Sequence, residues 1–327
     1  SVRVRLLLDG ARLLAEAGAI DQPYANMEIA ESLLKDQAGV ELAQSAADLA
    51  VAYVRVGDNT KARTMFNRAL GAAGALNATP DRIIAFTRIA MRYYDARNTT
   101  LANEILAEAQ VLAATRLVSR DRSRVFAQIA IAQAYLGDIP GALQSAGNAA
   151  TGEAYQQVLV GVVTALIEAG RTFEAQAIIE KIEADKAYHQ LVLRLATYLF
   201  YEGDTQRATG LLTSNIPRIS LISKLEEQTI FLSQYARVLA RLSDRARSVS
   251  LFDEAFDLTL KMTDRSQSVN QGMIALDQAK ALYVTRAKNT ANEIAEPFVR
   301  DPVLSQIADI ERTLMTVFPE SILSKAE

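Results

Sequence analysis

The stretch LAVAYVRVGDNTKARTMFNRAL, residues 49–70, decides the fold. Its first half, from Leu49 through Tyr53, is apolar enough to bury a helix, and it stops at Gly57-Asp58. Glycine has no Cβ, so Gly57 permits the left-handed residue that closes a helix, and Asp58 supplies a short carboxylate that caps the free N–H groups of the next one. Ala62, Phe66 and Ala69 then recur at i, i+4 and i+7, which places them on one face of a second helix. The stretch is a helical hairpin. Ala50 and Ala62 are small where its two helices approach, and Phe66 is large enough to fill the space toward a neighbouring hairpin.

The same frame recurs along the chain. Ile89, Ala90 and Tyr93 lead to Ala102, Leu106 and Ala109; Ile129 and Ala130 lead through Gly137-Asp138 to Ala142, Ala146 and Ala149. Val162 leads through Gly170 to Ala175, Ile179 and Ile182, and Leu195-Ala196 leads through Gly203-Asp204 to Ala208 and Leu212. Tyr235-Ala236 leads through Asp244 to Ser248, Phe252 and Ala255, and Ala279 leads to Ala291, Ala295 and Phe298. The second-helix anchors fall at 62, 102, 142, 175, 208, 248 and 291, so the unit alternates between 33 and 40 residues and ends with one of 43. Seven residues are close to two helical turns, so a hairpin lengthened by that amount keeps its inward face. An irregular hairpin over 1–38 precedes seven repeats over 39–300, with Leu6–Leu14 and Ile29–Leu34 as its helices and Gly18 near its turn. A cap over 301–327 follows, with a helix from about Pro302 to Phe318.

Small residues at the eighth, twentieth and twenty-seventh places and Gly-Asp at the turn make this frame resemble the tetratricopeptide repeat family. The resemblance implies an all-α superhelix: one solenoid domain over 1–327, of about eight antiparallel helix pairs plus a C-terminal capping helix. The chain departs from the family at the fourth place, usually aromatic, where Ala46, Phe86, Phe126, Leu159, Val192 and Leu232 stand. The proline that usually ends the unit is mostly missing.

In this family the first helices line a concave face, with the second, fifth, ninth, twelfth and thirteenth places exposed on it. Carried over residue by residue, the pattern nominates Met91, Tyr94 and Asp95, then Ile131 and Tyr135, then Gln157, Thr164 and Glu168. It continues with Thr197, Phe200 and Tyr201, then Arg237 and Arg241, and ends on Lys280 and Tyr283. The nominated surface is aromatic in the middle and basic toward the C-terminus, a combination suited to a peptide. The Lys/Asn carboxylate clamp of some members is expected to be absent, because Ala47 and Val51 at the corresponding places cannot donate.

Composition closes off other classes. The 35 basic residues against 38 acidic ones leave a net charge of −3, with no cationic excess to collect phosphates, so nucleic acid is not an expected partner. The cluster Arg120, Arg122 and Arg124 is interrupted by Asp121 and reads as a solvated helix start. The chain has no cysteine, hence no disulfide, thiolate metal site or cysteine nucleophile. Its one histidine, His189, excludes His pairs and intrachain triads, and reads as a half-exposed structural residue beside Tyr188. Gly71-Ala72-Ala73-Gly74 follows a helix rather than a strand and reads as a helix end, not a dinucleotide loop. Neither a cofactor nor a metal is expected.

Apolar runs such as Ile129–Leu136 and Val158–Ile167 are shorter than a membrane span, so no membrane insertion is expected. Arg3 and Arg5 break the first segment, which does not read as an intact signal peptide. The compartment is not fixed by these features, although the lack of cysteine is compatible with the cell envelope. Self-association through the end hairpins stays open. The expected function is a non-catalytic scaffold that binds a peptide or helical segment of a partner protein on its concave face. The alternative is a cell-envelope accessory protein holding a small hydrophobic or anionic ligand inside the superhelix.

Overall fold

The computed structural model describes residues 2–16, 21–117, 119–183 and 185–317. Among them the regular elements are all helical, and they group into two compact units, Ser1–Ala175 and Gln176–Glu327. In the first unit α1 (Val2–Glu16) pairs with α2 (Asp21–Leu33), α3 (Gly39–Arg55) with α4 (Asn59–Gly74), α5 (Thr79–Asp95) with α6 (Thr99–Arg116), and α7 (Arg122–Leu136) with α8 (Ile139–Ala149). Next comes α9 (Gly152–Glu168), and α10 (Thr172–Ile179) carries the chain into the second unit. There α11 (Asp185–Tyr201) pairs with α12 (Thr205–Ile219), α13 (Leu225–Arg241) with α14 (Arg245–Thr259), and α15 (Asp264–Lys280) with α16 (Val284–Asn292), while α17 (Pro297–Val317) packs on α15 and α16. Gly18 and Phe318 lie outside the described residues.

One turn is repeated between first and second helices. In the earliest copy Gly57 donates to the Val54 carbonyl and Asp58 donates to the Tyr53 carbonyl, the paired bonds that close a helix around a left-handed residue. The equivalent second bond runs from Asn98 to Tyr93, Asp138 to Gln133, Arg171 to Leu166, Asp204 to Leu199, Asp244 to Leu239 and Tyr283 to Gln278. The left-handed residue is glycine at 57, 137, 170 and 203, but Arg97, Ser243 and Leu282 adopt the same conformation with φ of 61°, 66° and 70°. The next helix is then capped: the side chains of Asp58, Asn98, Asp138, Asp204 and Asp244 each accept from the N–H three residues on. Capping by Asp58, Asp138 and Asp204 is thus as the sequence implies.

This turn corrects the last repeat. Ala287 donates to the Tyr283 carbonyl as Ala62 does to Asp58 and Ala208 to Asp204, so the anchor is Ala287, not Ala291, and the final spacing is 39. The sequence frame slipped by one helical turn because Ala275 and Ala279 on α15 are matched by Ala287 and Ala291 on α16, all four fully or almost fully buried. No glycine marks this turn, since Leu282 takes its place. The C-terminal helix likewise begins at Pro297, with Pro302 inside it rather than at its start.

The variable spacing is carried by the second helices. The first helices of the seven repeats stay at 15 or 17 residues, whereas α8 has 11 and α10 has 8, against 16 and 18 for α4 and α6. Where paired helices meet, Ala50 and Ala62, Ala90 and Ala102, and Ala130 and Ala142 are all buried. Phe66 of α4 stacks on Tyr93 of α5 with ring centroids 3.9 Å apart, which joins successive hairpins as expected of a large residue there. Close approach recurs between α7 and α9, where a Cβ on Gly161 would come within 2.9 Å of Ile131.

Two substitutions test the turn. Nothing lies within 4 Å of a Cβ placed on Gly57, so Gly57→Ala costs only the left-handed backbone, about 1 kcal/mol. Ser243→Gly, at an exposed residue, gains about 0.5–1 kcal/mol. Urea midpoints of the two variants should move in opposite directions from wild type.

Candidate functional site

Because the turns are alike, residues at the same distance from them occupy the same place on successive first helices. In the first unit α3, α5, α7 and α9 pack side by side, and in the second α11, α13 and α15 do so. The last full turn of each helix therefore presents a row. The row is Arg55, Asp95, Tyr135 and Glu168 in the first unit, and Tyr201, Arg241 and Lys280 in the second.

In the first unit much of this face is closed by its own side chains. Arg88 of α5 donates to Gln44 of α3 at 2.7 Å. Arg92 lies 2.5 Å from Asp48 of α3 and 2.8 Å from Asp95, while the Tyr135 hydroxyl of α7 donates to the other oxygen of Asp95 at 2.6 Å. Burial would loosen the Arg92 proton, but Asp48 and Asp95 more than offset it and hold the guanidinium charged. Burial, the hydrogen bond to Asp95 and the Asp95 charge together push the Tyr135 phenol well above the usual tyrosine range.

Arg171 extends the network. It stands where Asp or Asn caps most of the other second helices, and its Nη2 instead reaches the Leu136 carbonyl at 3.3 Å and the Tyr94 hydroxyl at 3.4 Å. The arginine lies across Gly137, whose φ of 97° is what favours glycine at this turn.

Of the residues nominated in this unit, Tyr94 and Tyr135 meet edge to face at 5.8 Å. Tyr135 is buried, and Met91 and Tyr94 are half-buried against the core. Ile131 covers Gly161, and Thr164 is half-buried. Gln157 and Glu168 are exposed.

The second unit differs. Phe200 is half-buried and meets Tyr201 at 5.4 Å, and Tyr201 is 73% exposed. Thr197 is half-buried on the same helix. Arg237 of α13 is paired with Asp277 of α15 at 2.7 Å, and Ser233 donates to the other oxygen of Asp277 at 3.0 Å. Arg241 and Lys280 are exposed. Tyr283 is not on a first helix: it occupies the N-cap place of α16, is 3% exposed and meets Phe252 edge-on at 6.1 Å, which makes it a packing residue.

His189 also corrects its reading. It is fully buried rather than half-exposed, with Nδ1 2.9 Å from the Tyr235 hydroxyl and its ring among Tyr188, Phe231 and Tyr235. Tyr188 donates to Asn215 at 2.5 Å, and the Arg218 guanidinium lies 3.6 Å over the Tyr188 ring. This aromatic cluster lies inside the second unit. Among the described residues no group of three or more His, Asp or Glu side chains could hold a metal, and no helix is long and apolar enough to cross a membrane.

Seven hairpins closed by one turn and packed through small residues decide the architecture. Each of the two units is a stack of tetratricopeptide-like helical hairpins. No family model and no curated protein matches the chain. Among solved structures, Ton1535 from Thermococcus onnurineus NA1 is 14% identical, with 92% of this chain and 99% of that one covered and a TM-score of 0.40. The quorum sensor NprR from B. thuringiensis in its apo form is 13% identical, with 99% and 98% covered and a TM-score of 0.38. A Rap protein complexed with competence and sporulation factor is 12% identical over the whole of both chains, with a TM-score of 0.32. Likeness of this degree carries no functional argument; the tetratricopeptide-like assignment rests on the turns and the packing.

The Tyr135 bond gives a pH-dependent prediction. A phenol whose pKa is raised by folding contributes stability that is fully present below the unfolded value of about 10 and is lost as pH rises beyond it. Tyr135→Phe should cost about 1.5–3 kcal/mol near neutral pH and make the alkaline loss shallower. Urea unfolding across pH 7 to about 11 checks both, and an unchanged alkaline slope contradicts the assignment.

Proposed function

We propose that the chain is a non-catalytic interaction scaffold that seats a peptide or a helical segment of a partner protein on the first-helix face of its second unit. The observation that carries this reading is Tyr201, a large aromatic left 73% exposed at the end of α11 with its ring braced edge-on by Phe200. An exposed tyrosine offers a large contact area with only two side-chain torsions to fix on binding. The Arg237–Asp277 pair ties α13 to α15 and so supports a preformed surface rather than one assembled on binding.

The tetratricopeptide-like arrangement agrees with this choice of face, because the first helices keep nearly constant length while the second helices vary. A constant layer preserves a row of side chains from hairpin to hairpin.

Replacing Tyr201 by a photo-crosslinking phenylalanine, in cells expressing the chain from its own locus, tests the reading. A discrete protein adduct is expected from position 201, and none from the same probe at Val111, an exposed apolar residue on second helix α6. Adducts from position 111 with none from 201 would overturn the choice of face.

A further inference from the structure

From the chemistry of one row, and resting on the scaffold reading above, we infer that the second unit takes an extended acidic segment. That segment carries one apolar side chain and two carboxylates at intervals of about three residues.

The row is Tyr201, Arg241 and Lys280. Gly203 donates to the Phe200 carbonyl, Ser243 to Ala240 and Leu282 to Ala279, so the three residues stand at the same place beside α11, α13 and α15. Adjacent packing of α11 with α13 and of α13 with α15 makes them consecutive. All three are exposed. No hydrogen bond or ion pair among the described residues engages Arg241 or Lys280.

Other cations of these helices are engaged. Arg237, one turn back on α13, is bound to Asp277, and Arg247 is bound to Asp244. In the first unit Arg92 is matched by Asp48 and Asp95. A cation at a helix C-terminus also complements the helix dipole. The dipole does not dictate this row, however, since Asp95 and Glu168 occupy the same place at the ends of α5 and α9. Two cations left open beside a braced aromatic, in a chain of net charge −3, call for carboxylates from outside.

The spacing follows from the packing. Packed helices lie about 8–10 Å apart, and an extended chain advances about 3.3 Å per residue, so one helix step equals about three residues. An occupant crossing α11, α13 and α15 places its apolar residue over Tyr201 and its carboxylates three and six residues further on. Arginine takes a carboxylate through paired N–H donors, and lysine takes one as a point charge.

Panning a phage-displayed library of random peptides on the full chain tests this. The expected consensus has two acidic residues about three apart and an aromatic or aliphatic residue a further three away. A fluorescein-labelled peptide of that consensus should lose about tenfold or more in affinity on R241E/K280E, whose far-UV circular dichroism should match wild type, with a thermal midpoint lowered only by the two reversed charges at helix ends. The milder R241Q/K280Q pair should show a smaller loss, and the same peptide with lysines for its acids should recover binding on R241E/K280E. A consensus lacking acidic positions, or binding indifferent to both pairs of substitutions, overturns the charge assignment and leaves the scaffold reading standing. Enrichment of no peptide, or displacement of the labelled peptide by polyuridylate alone, overturns both.

Discussion

The structure depends on one left-handed residue between two helices and on the two hydrogen bonds that close around it. The last carbonyls of each first helix accept from the left-handed residue and from the residue after it, and in five of the seven repeats that second residue also turns its side chain to cap the second helix. The turn thus satisfies backbone groups at both helix ends in the space of two residues. Because it is short and nearly invariant, it fixes where each second helix starts relative to the first. Small residues can then be placed where the pair touches, and the anchors from Ala62 to Ala287 all lie in that position.

From this follows a division of labour within the hairpins. The second helices absorb the differences in length, with α8 and α10 cut to 11 and 8 residues, while the first helices remain in register. In the first unit that register is spent on internal contacts that run from Asp48 through Arg92 and Asp95 to Tyr135, with Arg171 laid over Gly137. In the second unit the same places hold an exposed tyrosine and two unengaged cations. The same register thus joins Asp95 to Tyr135 in the first unit and leaves Tyr201, Arg241 and Lys280 exposed in the second.

The hairpins were legible in the sequence wherever glycine and aspartate marked the turn. Where the left-handed residue is Leu282, the paired alanines of α15 and α16 admitted two frames one helical turn apart, and only the hydrogen bonds chose between them. The same slip placed Tyr283 on a surface from which it is buried. The candidate face was legible as positions but not as states. Nothing local to Tyr135 announces that Asp95, forty residues earlier, receives its hydroxyl, and nothing local to His189 announces Tyr235. Arg171 did leave a trace, since it stands where Asp or Asn caps most of the other second helices.

Amide hydrogen exchange at the turns that lack glycine reaches the central claim most directly. The account predicts that Asn98, Asp244 and Tyr283, whose N–H groups reach back to Tyr93, Leu239 and Gln278, are protected to the level of their glycine-containing counterparts Asp58, Asp138 and Asp204. Exchange of those three amides at the rate of an open loop, with the glycine turns protected, would contradict it.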